Sequence, residues 1–323
     1  MAKNKSKHSV SQVQALKEKH LNRTYLLYAM AAVSLLISAV TFWQVYRSIK
    51  VESEYLRQVS GLRLSSQSLA KHAVEATAGS ASAFSLMEQE KSEYASIWQR
   101  IVSGDDNLGL SANSIYIKSN MKEITLLQSA WSRVHGNIDI ILDGQNIVLE
   151  LNELAGLLRK SIPRLQEDSH LVAQELLAQE APPAVIALAE RQSLLAERIA
   201  RNIDRILEGD EQAVLKTDSF GKDTLRFGSV LSALRDGNPE MGIAKIKHPD
   251  LVESLDRMSM IFVSVNDGVK KFLKAADGLF KVKLAARKIL TESGELLNYS
   301  TQLSVNLTQM RTSNYKVFSA IFF

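Results

Sequence analysis

The hydrophobic pattern along this chain has two forms. Tyr25 to Tyr46, YLLYAMAAVSLLISAVTFWQVY, runs 22 residues without a charge. At about 1.5 Å per helical residue it reaches roughly 33 Å, enough for a hydrocarbon layer of about 30 Å. Tyr25, Tyr28, Trp43 and Tyr46 lie near its ends, where aromatic rings favour a membrane interface. The run is longer than the apolar core of a cleaved signal peptide, and no small-residue cleavage site follows. The rest of the chain, from residue 47, shows helical spacing and no strand-like alternation.

Helix breaks fall at Gly79, Gly104, Pro182-Pro183, Gly209, Gly237-Asn238-Pro239 and His248-Pro249. They divide the region into helices expected at about 48–78, 82–103, 117–142 and 145–179, then 184–208, 211–236, 248–273 and 277–314. The second four repeat the first. Leu69-Ala70-Lys71-His72 aligns with Ile199-Ala200-Arg201-Asn202 and Gly79 with Gly209, at an offset of 130. Trp131 aligns with Phe262, Leu142 with Leu273 and Leu165 with Leu296 at 131, and Gly104 with Gly237 at 133. A nearly constant offset is the mark of an internal duplication. The expected fold is all-α and membrane-anchored, with two tandem four-helix-bundle repeats. The expected boundaries are 1–24 for a basic N-terminal segment, 25–46 for the membrane helix, 47–182 and 183–314 for the repeats, and 315–323 for the start of a further membrane helix. That last expectation comes from Val317–Phe323, an apolar run that stops after seven residues; a frayed apolar tail is the other reading.

Charge orients the membrane helix. Lys3, Lys5, Lys7, Lys17, Lys19 and Arg23 precede it against one acid, Glu18, whereas Arg47 and Lys50 are followed by Glu52 and Glu54. The basic side stays in the cytoplasm, so residues 47–314 are expected outside it. A basic tail can also meet nucleic acid, but beside a membrane span the topological role is preferred, and no nucleic-acid partner is expected.

One seam in the outer region carries polar residues. Leu188, Gln192, Leu195, Ile199, Asn202 and Ile206 are spaced to face a bundle core, with Arg191, Arg198 and Glu197 beside them. A buried amide without a partner costs about 1–3 kcal/mol. Gln192 and Asn202 therefore either fix helix register or, with Arg191 and Arg198, hold a small polar or anionic ligand. The matching seam is Gln58, Leu62, Ser65, Leu69, His72 and Ala76, flanked by the small-residue stripe Val59, Arg63, Ser66, Ala70, Ala73 and Thr77. That stripe suits close approach of a helix, and a two-fold dimer there would pair two Arg63 side chains around an anion. Arg63 as a snorkelling surface residue is the simpler alternative.

Composition agrees with long helices: 46% apolar, 23% charged, 15 Gly and only 5 Pro in 323 residues. The absence of Cys excludes disulfides, thiolate metal sites and a Cys nucleophile. The six His are scattered without metal-ligand spacing, and no GxGxxG, Walker A or HExxH pattern occurs. No catalytic residue, metal or cofactor is expected, and the chain does not read as an enzyme.

The segment Glu190-Arg191-Gln192-Ser193-Leu194-Leu195-Ala196-Glu197-Arg198-Ile199-Ala200-Arg201-Asn202 closely resembles the signature of the PilJ family, the type IV pilus methyl-accepting chemotaxis transducers. Asp218–Asp223 and Phe227–Leu231 continue the resemblance, and Leu62–Lys71 looks like a first copy of the same motif. That first copy is also similar to the nitrate-binding segment of nitrate/nitrite sensor kinases, which adds Arg63, Ser66 and Gln67 to the candidate ligand residues. It departs from the PilJ pattern in having Ser68 where the family has Arg and His72 where it has Asn.

The resemblance implies a receptor in the bacterial inner membrane that controls pilus function and twitching motility. It implies a periplasmic sensor, a homodimer, and signalling by displacement of membrane-connected helices. Pilin is the implied periplasmic partner. A CheW-like adaptor and a histidine kinase are the implied cytoplasmic partners, reached through a HAMP linker and a signalling coiled coil. Two other functions fit the same residues: a membrane-anchored helical scaffold for pilin or envelope proteins, and the input domain of a nitrate-type sensor kinase.

Overall fold

The structure is a computed structural model. It describes the backbone of residues 3–209, 211–212 and 217–322, with side chains other than those of 3–24, 26, 311 and 313–323. The basic flank before the apolar stretch and the closing apolar run at 315–323, with the membrane helix expected there, lie outside the described side chains.

The elements are α1 Lys3–Thr77, α2 Ala81–Ser103, β1 Gly104–Asp105, β2 Leu110–Ser111, α3 Ile115–Ser119, α4 Met121–Asp143, α5 Gln145–Ala178, α6 Pro183–Glu208, α7 Thr217–Asp236, a short 3-10 turn Pro239–Met241, and α8 Pro249–Phe322. Apart from one antiparallel hairpin, which pairs Gly104 with Ser111 and Asp105 with Leu110, the described chain is all-α. Most of the expected helices are present with ends shifted by a few residues; the one expected at 117–142 is divided at Asn120 into α3 and α4, and the start of the one expected at 211–236 lies partly outside the described residues. Instead of breaking between 273 and 277, α8 is a single helix of 74 residues. The intervening Lys274-Ala275-Ala276 contains no helix breaker, and Gly278 alone does not stop a helix held on both sides by packing.

The chain divides into two compact units. The first comprises Met1–Val59, Arg100–Ser119 and Ser304–Phe323. Within the described residues, one helix is long and apolar enough to cross a membrane, and its apolar window is unburied by the protein. Leu27, Leu35, Leu36, Phe42 and Trp43 are all exposed. Two hydroxyls in this stretch bond back to the helix backbone: Ser38 Oγ donates to Ser34 O and Thr41 Oγ1 to Ile37 O, at 2.9 and 2.8 Å. The hairpin of this unit is latched to α1 through Tyr55. Its hydroxyl donates to Ser111 O at 2.9 Å and accepts from Ser111 N at 3.1 Å, and its ring lies 5.6 Å from that of Tyr116.

The second unit is Ser60–Gln99 with Asn120–Leu303. Its core contains Leu62, Leu69, Met87, Tyr94, Leu127, Val134, Ile138, Phe227, Leu255 and Phe272. Two sets of helix contacts occur in it. In one, Tyr94 of α2 stacks on Trp131 of α4 with ring centroids 3.9 Å apart, and Ser65 of α1 donates to Glu90 of α2. Asn137 of α4 donates to Glu292 in the C-terminal half of α8. In the other, α5 packs along α6, Phe227 of α7 stacks on Phe262 of α8 at 4.9 Å, and Arg257 of α8 donates to Asp168 of α5 at 3.0 Å. The unbroken α8 thus serves both sets, its N-terminal half with α5 and α7 and its C-terminal half with α4.

The small-residue stripe of α1 is not an open face. Val59, Ser66, Ala73 and Thr77 are all buried within the chain itself. Arg63 and Ala70 of the same stripe are only half-buried.

Candidate functional site

Helix α6 starts at Pro183, where a missing N–H leaves nothing unsatisfied and the ring fixes a helical φ. It ends at Gly209 with φ +75, where the left-handed backbone sends its N–H back to Arg205 O and Ile206 O. A Cβ at Gly209 would also lie 2.8 Å from Lys283 Cβ, so glycine is required there on two grounds. Between these ends Gln192, Leu195, Ile199 and Ile206 are buried as their spacing predicts, while Asn202 is half-buried at the edge of the seam.

That edge forms a cleft with α7. Arg198, Arg201 and Arg205 lie three and four residues apart on one face of α6, and Ser219 and Asp223 lie four apart on α7. Together with Asn202 they line a cavity of about 360 Å³. Arg198 Nη2 stands 2.8 Å from Asp223 Oδ2, tying the two helices across the cleft. Asp223 is mostly covered, and this oxygen accepts no well-directed hydrogen bond. Arg201 Nη1 lies 3.6 Å from an oxygen of the half-exposed Glu197. The arrangement offers guanidinium, amide and hydroxyl donors around one acceptor that is already ion-paired. It suits binding of a small polar group rather than covalent chemistry. Among the described residues, no three His, Asp or Glu side chains come close enough to hold a metal ion.

The structure places the sequence-derived candidates in three environments. Arg198 and Asn202 line the cleft. Gln192 lies in the core, its Nε2 donating to Phe227 O at 3.0 Å and its Oε1 without a partner, whereas Arg191 is exposed. Arg63, Ser66 and Gln67 lie on α1. Ser66 is buried and donates to Arg63 O, Gln67 is exposed, and the buried Arg63 Nε has no hydrogen-bond partner. The cleft residues Arg201, Arg205, Ser219 and Asp223 were missed. The Arg198–Arg201–Arg205 spacing was a readable signal, but which face of α7 meets it was not.

Among the described residues, these features define an all-α protein with one candidate membrane-crossing helix and a polar cleft between two core helices. Residues 46–157 match the family described as Type IV pili methyl-accepting chemotaxis transducer N-term, PilJ. Two curated relatives extend the likeness across 86% of the chain. A protein of Alcanivorax borkumensis described as methyl-accepting chemotaxis AlkN is 35% identical over 279 residues, and Protein PilJ of Pseudomonas aeruginosa is 34% identical over 278. The chain thus carries a PilJ-type N-terminal domain and is related along most of its length to methyl-accepting chemotaxis proteins. It spans about 40% of the length of either relative.

Proposed function

We propose that this chain is the sensory part of a chemotaxis-type receptor for type IV pilus function. In this reading it sits in the bacterial inner membrane with its N-terminus in the cytoplasm and residues 47–314 in the periplasm. The observation that carries the reading is the continuity of α1. The helix bearing the exposed apolar stretch is the same helix whose later turns supply Leu62, Leu69, Ala73 and Ala76 to the packed core. A small displacement of that packed part moves the membrane helix with it, because a helix transmits axial and rotational shifts with little loss. Pilin in the periplasm, a homodimer, and an adaptor–kinase pair acting through further sequence complete the proposal.

We also read residues 47–182 and 183–314 as two copies of one helical repeat. The aromatic stacks Tyr94–Trp131 and Phe227–Phe262 occupy matching places in the alignment. Ser169 and Ser300, both buried, each donate to the carbonyl four residues earlier, Leu165 and Leu296. Gly79 and Gly209, and Gly104 and Gly237, all have positive φ. In this reading the first copy's fourth helix, α5, packs along α6 and is tied to the N-terminal half of α8, while the second copy's fourth helix, the C-terminal half of α8, is tied to α4.

Topology tests the proposal. A reporter active only in the periplasm is expected to be active when fused after residue 60 and silent after residue 15. The opposite pattern overturns the placement and, with it, periplasmic sensing.

A further inference from the structure

We propose that α3 is a foot resting in the headgroup layer of the bilayer that α1 crosses, with Ile115 inserted among the lipids and Lys118 against their phosphates. The inference rests on the membrane reading of α1, but not on which side of the membrane residues 47 onward occupy.

The residues concerned all belong to the first compact unit. Tyr116 Oη lies 2.9 Å from Ser48 Oγ. Ser48 is two residues past Tyr46, the last of the uncharged run, or about 3 Å along the helix axis. The headgroup layer adds roughly 5–8 Å to each side of the hydrocarbon, so this contact falls inside it. Trp43 and Arg47 mark the same boundary. Both are exposed, and the guanidinium lies 5.8 Å from the ring centroid. An aromatic ring and a cation at the end of an apolar span are the side chains that favour a membrane interface.

The fold holds Ile115 from both sides. Ser114 Oγ lies 2.9 Å from Tyr55 Oη, and Tyr116 and Ile117 are buried. Ile115, between these anchors, is 62% exposed. A lone exposed Ile is ordinary on a protein surface. This one has both neighbours bonded to α1 just beyond an exposed apolar stretch, so it is carried to the lipid boundary. Lys118, three residues on and exposed, shares its face. At that level its stem can lie along the acyl boundary while its ammonium meets phosphates. Arg47 and Lys50 are exposed on α1 as well. Of the acids in these segments, Glu52 is buried, Glu54 pairs with Arg57 at 2.6 Å, Asp105 accepts the Asn107 N–H, and Asp106 is exposed. Five residues of helix need no membrane affinity of their own, because attachment to α1 keeps them at the surface. A foot in this layer sets the depth of α1 and resists its sliding further into the bilayer.

The chain has no cysteine, so one introduced cysteine takes a fluorescent label uniquely. The test places the full 323-residue chain in nanodiscs of phosphatidylethanolamine and phosphatidylglycerol, with or without lipid carrying a nitroxide quencher on its headgroup. The label at Ile115→Cys should be strongly quenched. The label at Arg57→Cys, roughly 16 Å past Tyr46 along α1, should be weakly quenched. Phe42→Cys reports whether α1 lies in the bilayer. Adding Lys118→Glu to Ile115→Cys should cut the quenching at 115 by roughly half or more, because it turns attraction to anionic headgroups into repulsion. Quenching at 42 with no more at 115 than at 57 overturns the foot and leaves the membrane reading intact. Quenching at 115 that Lys118→Glu leaves unchanged overturns the phosphate contact. No quenching at 42 overturns the membrane reading and the foot with it. A reversed topology reporter leaves the foot standing, since it follows the Tyr46 end of the span on either side.

Discussion

Phe262 of α8 stacks on Phe227 of α7 with ring planes 25° apart, and its edge fills the space that a side chain on Gly228 would need. The motif Phe227-Gly228 is thus one device: the aromatic supplies the stacking face and the glycine lets the neighbouring helix come close. A Cβ at Gly228 would lie 2.6 Å from Phe262 Cε1. Gly228→Ala is expected to cost about 1–3 kcal/mol through overpacking, read as a lower thermal midpoint. Gly156→Ala is the control. No atom lies within 4 Å of its added Cβ, so the helix propensity of Ala should raise stability by up to about 1 kcal/mol.

Gln192 tests the polar seam. Its amide nitrogen has a partner in Phe227 O, but its oxygen is buried with none. Gln192→Met keeps the volume and removes the orphaned acceptor. Stability is expected to stay within about 1 kcal/mol of wild type or to rise. A fall of about 3 kcal/mol or more in chemical denaturation would show that the amide holds the helices in register.

The Arg257–Asp168 pair ties α5 to α8 with bonds from both Nε and Nη2 to Oδ1. Asp168 is buried but Arg257 is nearly half exposed, so solvent screens the pair. Asp168→Asn is expected to destabilise by about 1–2 kcal/mol, short of the 3–5 typical of a fully buried pair. A double cycle with Arg257→Met isolates the coupling. A coupling energy of zero would reduce the pair to a surface contact.

Lys91 gives a pH signature. Its ammonium lies 2.8 Å from Asp139 Oδ1, and that hydrogen bond raises its pKa above the ordinary lysine value of 10.5. The folded state therefore holds this proton more tightly than the unfolded chain does. The resulting stabilisation is complete below the ordinary value and disappears as the pH rises through the raised one. It should be about 0.5–1 kcal/mol for a pair this accessible. Thermal midpoints measured from pH 8 to 12 should show an alkaline decline that Lys91→Gln makes shallower. Identical slopes would remove Lys91 from the account.

Much of this fold was legible because its signals are local. The uncharged run Tyr25–Tyr46, the glycine and proline breaks, and the seven-residue spacing of α6 depend on neighbours a few positions away, and the corresponding helices formed. The merged α8 was missed although Lys274–Ala276 carries no helix breaker; packing against α5 and α7 at one half and α4 at the other holds it as one continuous helix. The α1 stripe shows the same limit: small residues announce a close approach, but the sequence does not say which helix approaches, and the chain's own packing buries Val59, Ser66, Ala73 and Thr77 while leaving Arg63 and Ala70 half-buried.

The sequence by itself determined the all-α class, the candidate membrane helix and the family, since periodicity, hydropathy and the motif at Glu190–Asn202 are read along one dimension. The tertiary structure alone decided that Arg198 and Asn202 share a cleft with Arg201, Arg205, Ser219 and Asp223, while Arg191 and Gln192 point elsewhere. The physical reason is that a helix face is fixed by its own spacing, whereas the face it meets depends on the rotation and register of a second helix. Distant core contacts such as Phe227 against Phe262 set that rotation.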